Sequence, residues 1–193
     1  MGRRNKGGNY EREFARRLSL WWTHEERDDV FWRTSNSGGR STVRSHAGQK
    51  TAGQAGDVGA TDSVGEVLMR FMTSELKRGY KDSNIHDVLD VGPSAKIQTW
   101  ASWWQQAWDS HVDGESMFWF LVTRRDKRIE MAWMPKEMYD MLAGAKCWRH
   151  YTGVFVEFRA YVEGESVDVV GMPWDSFYEW VDPDKIRAIV EAY

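Results

Sequence analysis

The sequence predicts an α/β fold, and three observations carry that prediction. Residues 9 to 22 set Tyr10, Phe14, Leu18, Trp21 and Trp22 at helical spacing, an amphipathic helix for which Asn9 is a plausible N-cap. Residues 67 to 77 (Val-Leu-Met-Arg-Phe-Met-Thr-Ser-Glu-Leu-Lys) form a long apolar-rich run without Gly or Pro, read as a strand whose successive side chains alternate between faces. Further along, apolar segments come in pairs joined by short charged turns, the pattern of hairpins.

Taken in order, the elements begin with that helix. Glu11 lies with Phe14, Ala15 and Leu18 on its inward edge, whereas Glu13 lies with Arg16 and Arg17 outside, so Glu11 needs a cationic partner or snorkels at the edge. Val30 to Thr34 reads as a first strand. Residues 35 to 56 carry Arg40, Arg44, His46 and Lys50 and no acid at all, among Ser, Gly, Thr, Gln and Ala. This stretch is either a flexible basic arm that closes over DNA phosphates or a disordered insertion, and the exclusion of acids favours the arm. A short apolar segment from Asp57 then reaches the 67–77 strand through the turn-like Asp62-Ser63-Val64-Gly65, as a hairpin. Ser94 caps a helix from Ala95 to Asp109, whose Trp100, Trp103, Trp104, Ala107 and Trp108 form one apolar stripe. That stripe packs on the sheet, or else serves as a dimer seam or a base-stacking platform. Met117–Arg124 and Ile129–Met134 pair through Arg125-Asp126-Lys127-Arg128. Pro135 to Leu142 forms a short helix, Gly153–Val162 and Ser166–Val170 pair through Glu163-Gly164-Glu165, and Asp182-Pro183 starts a last helix.

Composition bounds the function. With 193 residues, 41 per cent of them hydrophobic and 28 per cent charged, the chain can bury one sizeable core. No apolar run approaches the ~20 residues that span a bilayer, so no membrane partner is expected. Met1-Gly2 lacks the Ser or Thr at position 6 that myristoylation wants, because Lys6 stands there. Cys147 is the single cysteine, which excludes an intrachain disulfide and a thiolate zinc site and fits a reducing cytoplasm. The five histidines show no metal-ligand spacing. Net charge is −3, but residues 1 to 56 hold 11 Lys and Arg against 6 Asp and Glu. A basic first third inside an acidic chain suits a protein that meets phosphates at one end.

The residues that carry chemistry stand at the end of the 67–77 strand. Glu75 and Lys77 share a face, Leu76 points to the core, and Asp57 converges on Glu75 if the hairpin forms. Two carboxylates with a Lys beside them suit a divalent cation and a water set against a phosphate. With 29 acids and 9 Lys in the chain, about one acid-X-Lys triplet is expected by chance, and the chain has one, so context decides its meaning.

That context resembles a known family. Lys6-Gly7-Gly8-Asn9-Tyr10-Glu11-Arg12-Glu13 resembles the K-G-x-x-x-E-R-E opening of archaeal-type Holliday junction resolvases, a branch of the PD-(D/E)XK nuclease superfamily. Gly56-Asp57 and Glu75-Leu76-Lys77 resemble the D and E-x-K halves of the superfamily signature, in the superfamily's order of elements, over residues 6 to about 134. Phage-encoded nucleases of this type have similar spacing. The resemblance implies a restriction-endonuclease-like mixed central sheet flanked by helices, with residues 1–134 as the nuclease core and 135–193 as a C-terminal α/β elaboration packed on the same domain. It implies a Mg²⁺- or Mn²⁺-dependent DNA endonuclease, resolvase-like on branched DNA, acting as a homodimer in a prokaryotic or phage-infected cytoplasm and leaving 5′-phosphate. A nuclease of linear duplex or single strands, or an inactive DNA-binding module, is the alternative. Asp57, Glu75 and the backbone carbonyl of Leu76 would bind metal, Glu11 a metal-bound water or second ion, and Lys77 would act on the attacking water. DNA contacts are expected from Arg12, Arg33, Arg40, Arg44, Lys50 and Arg78, from Ser35 or Ser37 as counterparts of a resolvase serine, and from Gln98 as the polar residue beside the site.

Overall fold

Apolar residues at helical spacing along the first segment must bury against something, and they set the molecule's main core. The computed structural model describes residues 6–34, 55–80, 82–83, 87, 95–144, 156–162 and 165–193. Helix α1 (Lys6–Trp22) lays Tyr10, Phe14, Ala15, Leu18 and Trp22 against the sheet, all essentially without solvent contact. It begins a turn earlier than its expected cap: Asn9 lies inside the helix, where its side chain accepts from Arg12 at 3.1 Å. Arg17 is not on the outer face, because its guanidinium donates to both carboxylate oxygens of Glu130, at 2.7 and 2.9 Å. The Tyr10 hydroxyl donates to the same carboxylate. This largely buried group ties α1 to the sheet, and the charges are acceptable there because they are paired.

The clearest departure from the sequence reading lies at 63–71. Strands β1 (Phe31–Arg33) and β2 (Val58–Ala60) pair antiparallel with each other, and the chain then forms helix α2 (Ser63–Phe71) before entering β3 (Met72–Arg78). The run 67–77 is therefore helix and then strand, and no hairpin joins Asp57 to Glu75. Capping decides this. The Asp62 side chain accepts from Val64 N–H at 3.0 Å, Glu66 sits near the positive end of the helix and Arg70 near the negative end. Gly65, Leu68 and Phe71 then bury at i, i+3 and i+6.

The central sheet is mixed and five-stranded, in the order β3-β4-β5-β7-β6, with β4 (Phe118–Arg124), β5 (Glu130–Pro135), β6 (Val156–Val162) and β7 (Glu165–Pro173). β3 runs parallel to β4 and needs a crossover, which includes helix α3 (Ala95–Gly114); the remaining pairs are antiparallel. Both expected hairpins form, and β7 adds beside β5. Helix α4 (Lys136–Gly144) follows β5 as expected. After β7 come α5 (Trp174–Trp180), which the sequence reading does not anticipate, and α6 (Pro183–Ala192). Asp182 caps α6 through Asp184 N–H at 2.9 Å.

Alternation along the strands feeds two cores. Met72, Leu76, Phe118, Phe120 and Val122 turn toward α1, α5 and α6. Trp119, Leu121 and Trp133 turn toward α3, whose Trp100, Trp103, Trp104 and Ala107 form the second core with them. The tryptophan stripe is thus core. Trp100, Trp103 and Trp104 are 4–6 per cent exposed, so the stripe is no dimer seam. Among the described residues no helix is long and apolar enough to cross a membrane.

Candidate active site

β3 is an edge strand, and its free edge organises the site. Ser74 C=O on that edge accepts from Asp57 N–H at 2.9 Å, and Leu76 N–H donates to Asp57 Oδ2 at 2.7 Å. These two bonds bring Asp57 to the strand without a hairpin. Gly56 permits the approach: its φ is +70°, and a Cβ there would stand 2.6 Å from the Ser74 carbonyl oxygen. Thr34 anchors the same turn, its hydroxyl donating to Gly56 C=O at 2.7 Å and its N–H to Asp57 C=O at 3.0 Å. Because a strand residue's N–H and C=O point the same way, the Leu76 carbonyl faces the edge that Asp57 occupies.

Alternation puts Glu75 and Lys77 on the α3 face, buried at 3 and 8 per cent exposure, beside Asp57 at 7 per cent. Lys77 Nζ donates to Glu75 Oε1 at 2.7 Å and to Gln106 Oε1 on α3 at 2.6 Å. Ser110, one turn after Gln106, reaches Glu75 Oε2 at 3.4 Å. Glu11 meets Arg33 at 3.0 Å with its side chain 13 per cent exposed, while Glu13 is half exposed and pairs with Arg124 at 3.2 Å. The inward reading of Glu11 therefore stands, with Arg33 as the cation it needed.

Electrostatics set what this cluster can hold. Burial, and then the Glu75 charge, push the Asp57 carboxyl up to about 8. Glu75 is also raised, first by burial, despite the lowering effect of Lys77. Glu11 raises both, so the three carboxylates lie within one field. Lys77 is committed to Glu75 and Arg33 to Glu11, and among the described residues no ion pair involves Asp57. A hard cation with oxygen ligands fits this surplus of carboxylate.

The other expected residues fall in several places. Arg12 is exposed on α1. Arg78 stacks over the Tyr10 ring at 5.4 Å and approaches Asp126 at 3.9 Å. Ser35, Ser37, Arg40, Arg44 and Lys50 lie outside the described residues. Gln98 is in the first turns of α3, and its side chain too lies outside them; the glutamine that meets Lys77 is Gln106, two turns further on. Sequence reasoning missed Gln106 and Ser110. Their signal was weak: polar residues at i+3 and i+7 from Trp103, on the border of the apolar stripe. Asp62, the acid closest in sequence to compete with Asp57, caps α2 and pairs with Arg27 at 2.7 Å. His24, Asp182 and Asp184 also gather potential metal donors, but Asp182 caps α6, and His24 lies past the C-terminal end of α1, about 16 Å along that helix from Glu11.

No curated protein and no solved structure matches the chain. A family model described as "Phage putative PDDEXK endonuclease" matches residues 2–188, nearly the whole length, and the chain belongs to that family of the PD-(D/E)XK nucleases.

Proposed function

We propose that the protein is a Mg²⁺- or Mn²⁺-dependent DNA endonuclease that hydrolyses phosphodiester bonds, preferring branched DNA. The convergence of Asp57, Glu75 and Lys77 on the free edge of β3 carries this reading. Asp57, Glu75 and the Leu76 carbonyl would hold the cation, which when bound supplies positive charge to the scissile phosphate and to the water that attacks it.

The chain's own residues do the rest. An ammonium has three donors, and Lys77 gives one to Glu75 and one to Gln106, leaving the third for the attacking water or a phosphate oxygen. Fixed in this way, Lys77 favours charge developing on the phosphate without reorganising. Glu11, within the field of the other two carboxylates, would hold a metal-bound water or a second ion. Arg33 holds Glu11 in position, so its role is positioning before any contact with DNA. Preference for branched DNA is supported by the resolvase-like opening of α1, which carries Glu11. The tryptophan stripe lends no support to a homodimer, because it is spent in the core.

Labelled duplex, single strand, flap and four-way junction, incubated with Mg²⁺ and with chelator, test the reading. Metal-dependent cleavage that prefers the junction, and that Glu75→Gln lowers by orders of magnitude, is expected. Cleavage that persists in chelator, or in Glu75→Gln, would refute it.

A further inference from the structure

Beside Lys77 lies a cavity of about 310 Å³ that the chemistry above does not use. Its walls are aromatic, formed by Trp100, Trp103, Trp133 and Tyr80, and Arg125 and Arg128 stand at its rim. Three features of the chain build it. Gly79, at φ +102°, turns the chain off the end of β3 and donates its N–H to Arg124 C=O at 3.1 Å, which brings Tyr80 edge-on to Trp103 at 4.6 Å between ring centres. Trp133 is fixed by its indole N–H, which donates to the Thr123 hydroxyl at 2.9 Å, and it meets Trp100 edge to face at 5.4 Å. The charged β4–β5 turn then delivers Arg125 and Arg128 to the opening. Two large apolar groups stay in solvent at this mouth, Tyr80 at 47 per cent and Ile129 at 69 per cent.

We infer that this cavity takes one unpaired nucleobase of the DNA strand, next to the phosphate held at Lys77, with the flanking phosphates on the arginine rim. The inference rests on the nuclease reading and adds the feature by which the substrate is chosen. Size, surface and charge agree on this occupant. The volume is at the lower end of ligand sites, about 300–1,000 Å³, which suits one nucleoside and excludes a helix or a paired duplex. The Tyr80 ring, half exposed at the mouth, stacks a base without regard to sequence, and the arginines beside it match the phosphates that a base brings with it. Lys77 lines both the cavity and the carboxylate cluster, so a nucleotide in the cavity is adjacent to the bond being cut. A base inside a continuous duplex must first be unstacked, whereas one at a branch point or in a single strand is already free. The cavity therefore favours cutting where pairing is interrupted.

The test uses a branched oligonucleotide with 2-aminopurine as the unpaired base next to the cleavage position, and a second with an abasic spacer there. In chelator, binding should quench 2-aminopurine emission through stacking, and Tyr80→Ala and Arg128→Ala should each restore most of it. In Mg²⁺, wild type should cut the base-bearing strand about fivefold or more faster than the abasic one. Tyr80→Ala should erase that difference and leave the abasic rate unchanged. Tyr80 is exposed, so its loss leaves the fold intact, and an unchanged melting curve confirms this. Unquenched emission on binding, or equal rates on the two strands in wild type, overturns the inference. Should no substrate be cut at all, the nuclease reading fails, and the fluorescence result still decides the cavity.

Discussion

Replacing Asp57 with Asn should abolish cleavage and yet make the metal-free protein more stable, and the two effects have one cause. In the folded protein burial and the Glu75 charge raise the Asp57 carboxyl from 3.8 to about 8, so between those pH values the folded chain binds a proton that the unfolded chain has released. Stability of the metal-free protein then falls as pH rises through that window, because the unfolded state binds fewer protons. Below about pH 4 both states are protonated and the penalty vanishes. Asn carries no charge at any pH, and its amide oxygen still accepts from Leu76 N–H, so the variant keeps the Asp57–Leu76 bond and loses the penalty. A shift of four pH units would amount to roughly 5–6 kcal/mol. Glu75 shares the proton and the surroundings relax around the charge, so about 1–3 kcal/mol is expected at pH 8. For a chain of this length each kcal/mol moves Tm by about 2–4 °C. Thermal melts in chelator at pH 5 and pH 8 read this directly, and the gain of Asp57→Asn over wild type should grow with pH. Added Mg²⁺ should close or reverse the gap, since a ligand at a hundredfold excess over its Kd stabilises wild type by about 2.7 kcal/mol and leaves the variant where it was. A variant that melts below wild type in chelator at pH 8, or that still cuts DNA, would refute the account of the site.

Three further outcomes separate the remaining roles. Glu11→Gln should slow cleavage by about tenfold or more while Glu13→Gln, whose partner Arg124 is a surface pair, leaves the rate unchanged; equal losses would remove the helix-face argument. Gln106→Ala frees one Lys77 donor without touching the core, and kcat should fall about three- to tenfold with KM nearly constant, measured by single-turnover and steady-state kinetics. Changing Arg40, Arg44 and Lys50 together to Ala should shallow the salt dependence of DNA binding by up to about three phosphate contacts, and an unchanged slope would return that segment to a plain insertion.

What the sequence discloses depends on whether a residue's neighbours are local. The inward face of α1 is legible because 3.6-residue spacing sets Tyr10, Phe14 and Leu18 in a row, and the same spacing separates Glu11 from Glu13. Two hairpins are legible because alternation and a charged or Gly-containing turn lie side by side in the chain. Residues 67–71 are misread because an apolar run without Gly or Pro has no period that tells helix from strand. The deciding signal there is Asp62, read as part of a turn when it is a cap. Gln106 escapes notice for a different reason: its meaning comes wholly from Lys77, 29 positions away. Glu130 likewise looks like any strand-edge acid until Tyr10 and Arg17 are seen to converge on it.

The convergence of Asp57 and Glu75 survives the wrong route to it, and that has a physical basis. A hairpin would have held Asp57 by a ladder of backbone bonds along its whole length. The protein ties it to β3 by two, Asp57 N–H to Ser74 C=O and Leu76 N–H to the Asp57 carboxylate, at the point where the chain crosses the edge of that strand. The second of these bonds ties the acid's position to the backbone of the residue between Glu75 and Lys77. The three candidate side chains are thus set by a single stretch of strand: alternation fixes Glu75 and Lys77 on one face, and the Leu76 amide between them fixes Asp57 at the edge. The acid-X-Lys triplet is too common to carry meaning by itself. It acquires meaning here because β3 is an edge strand, where the middle residue's amide is left free to receive a carboxylate.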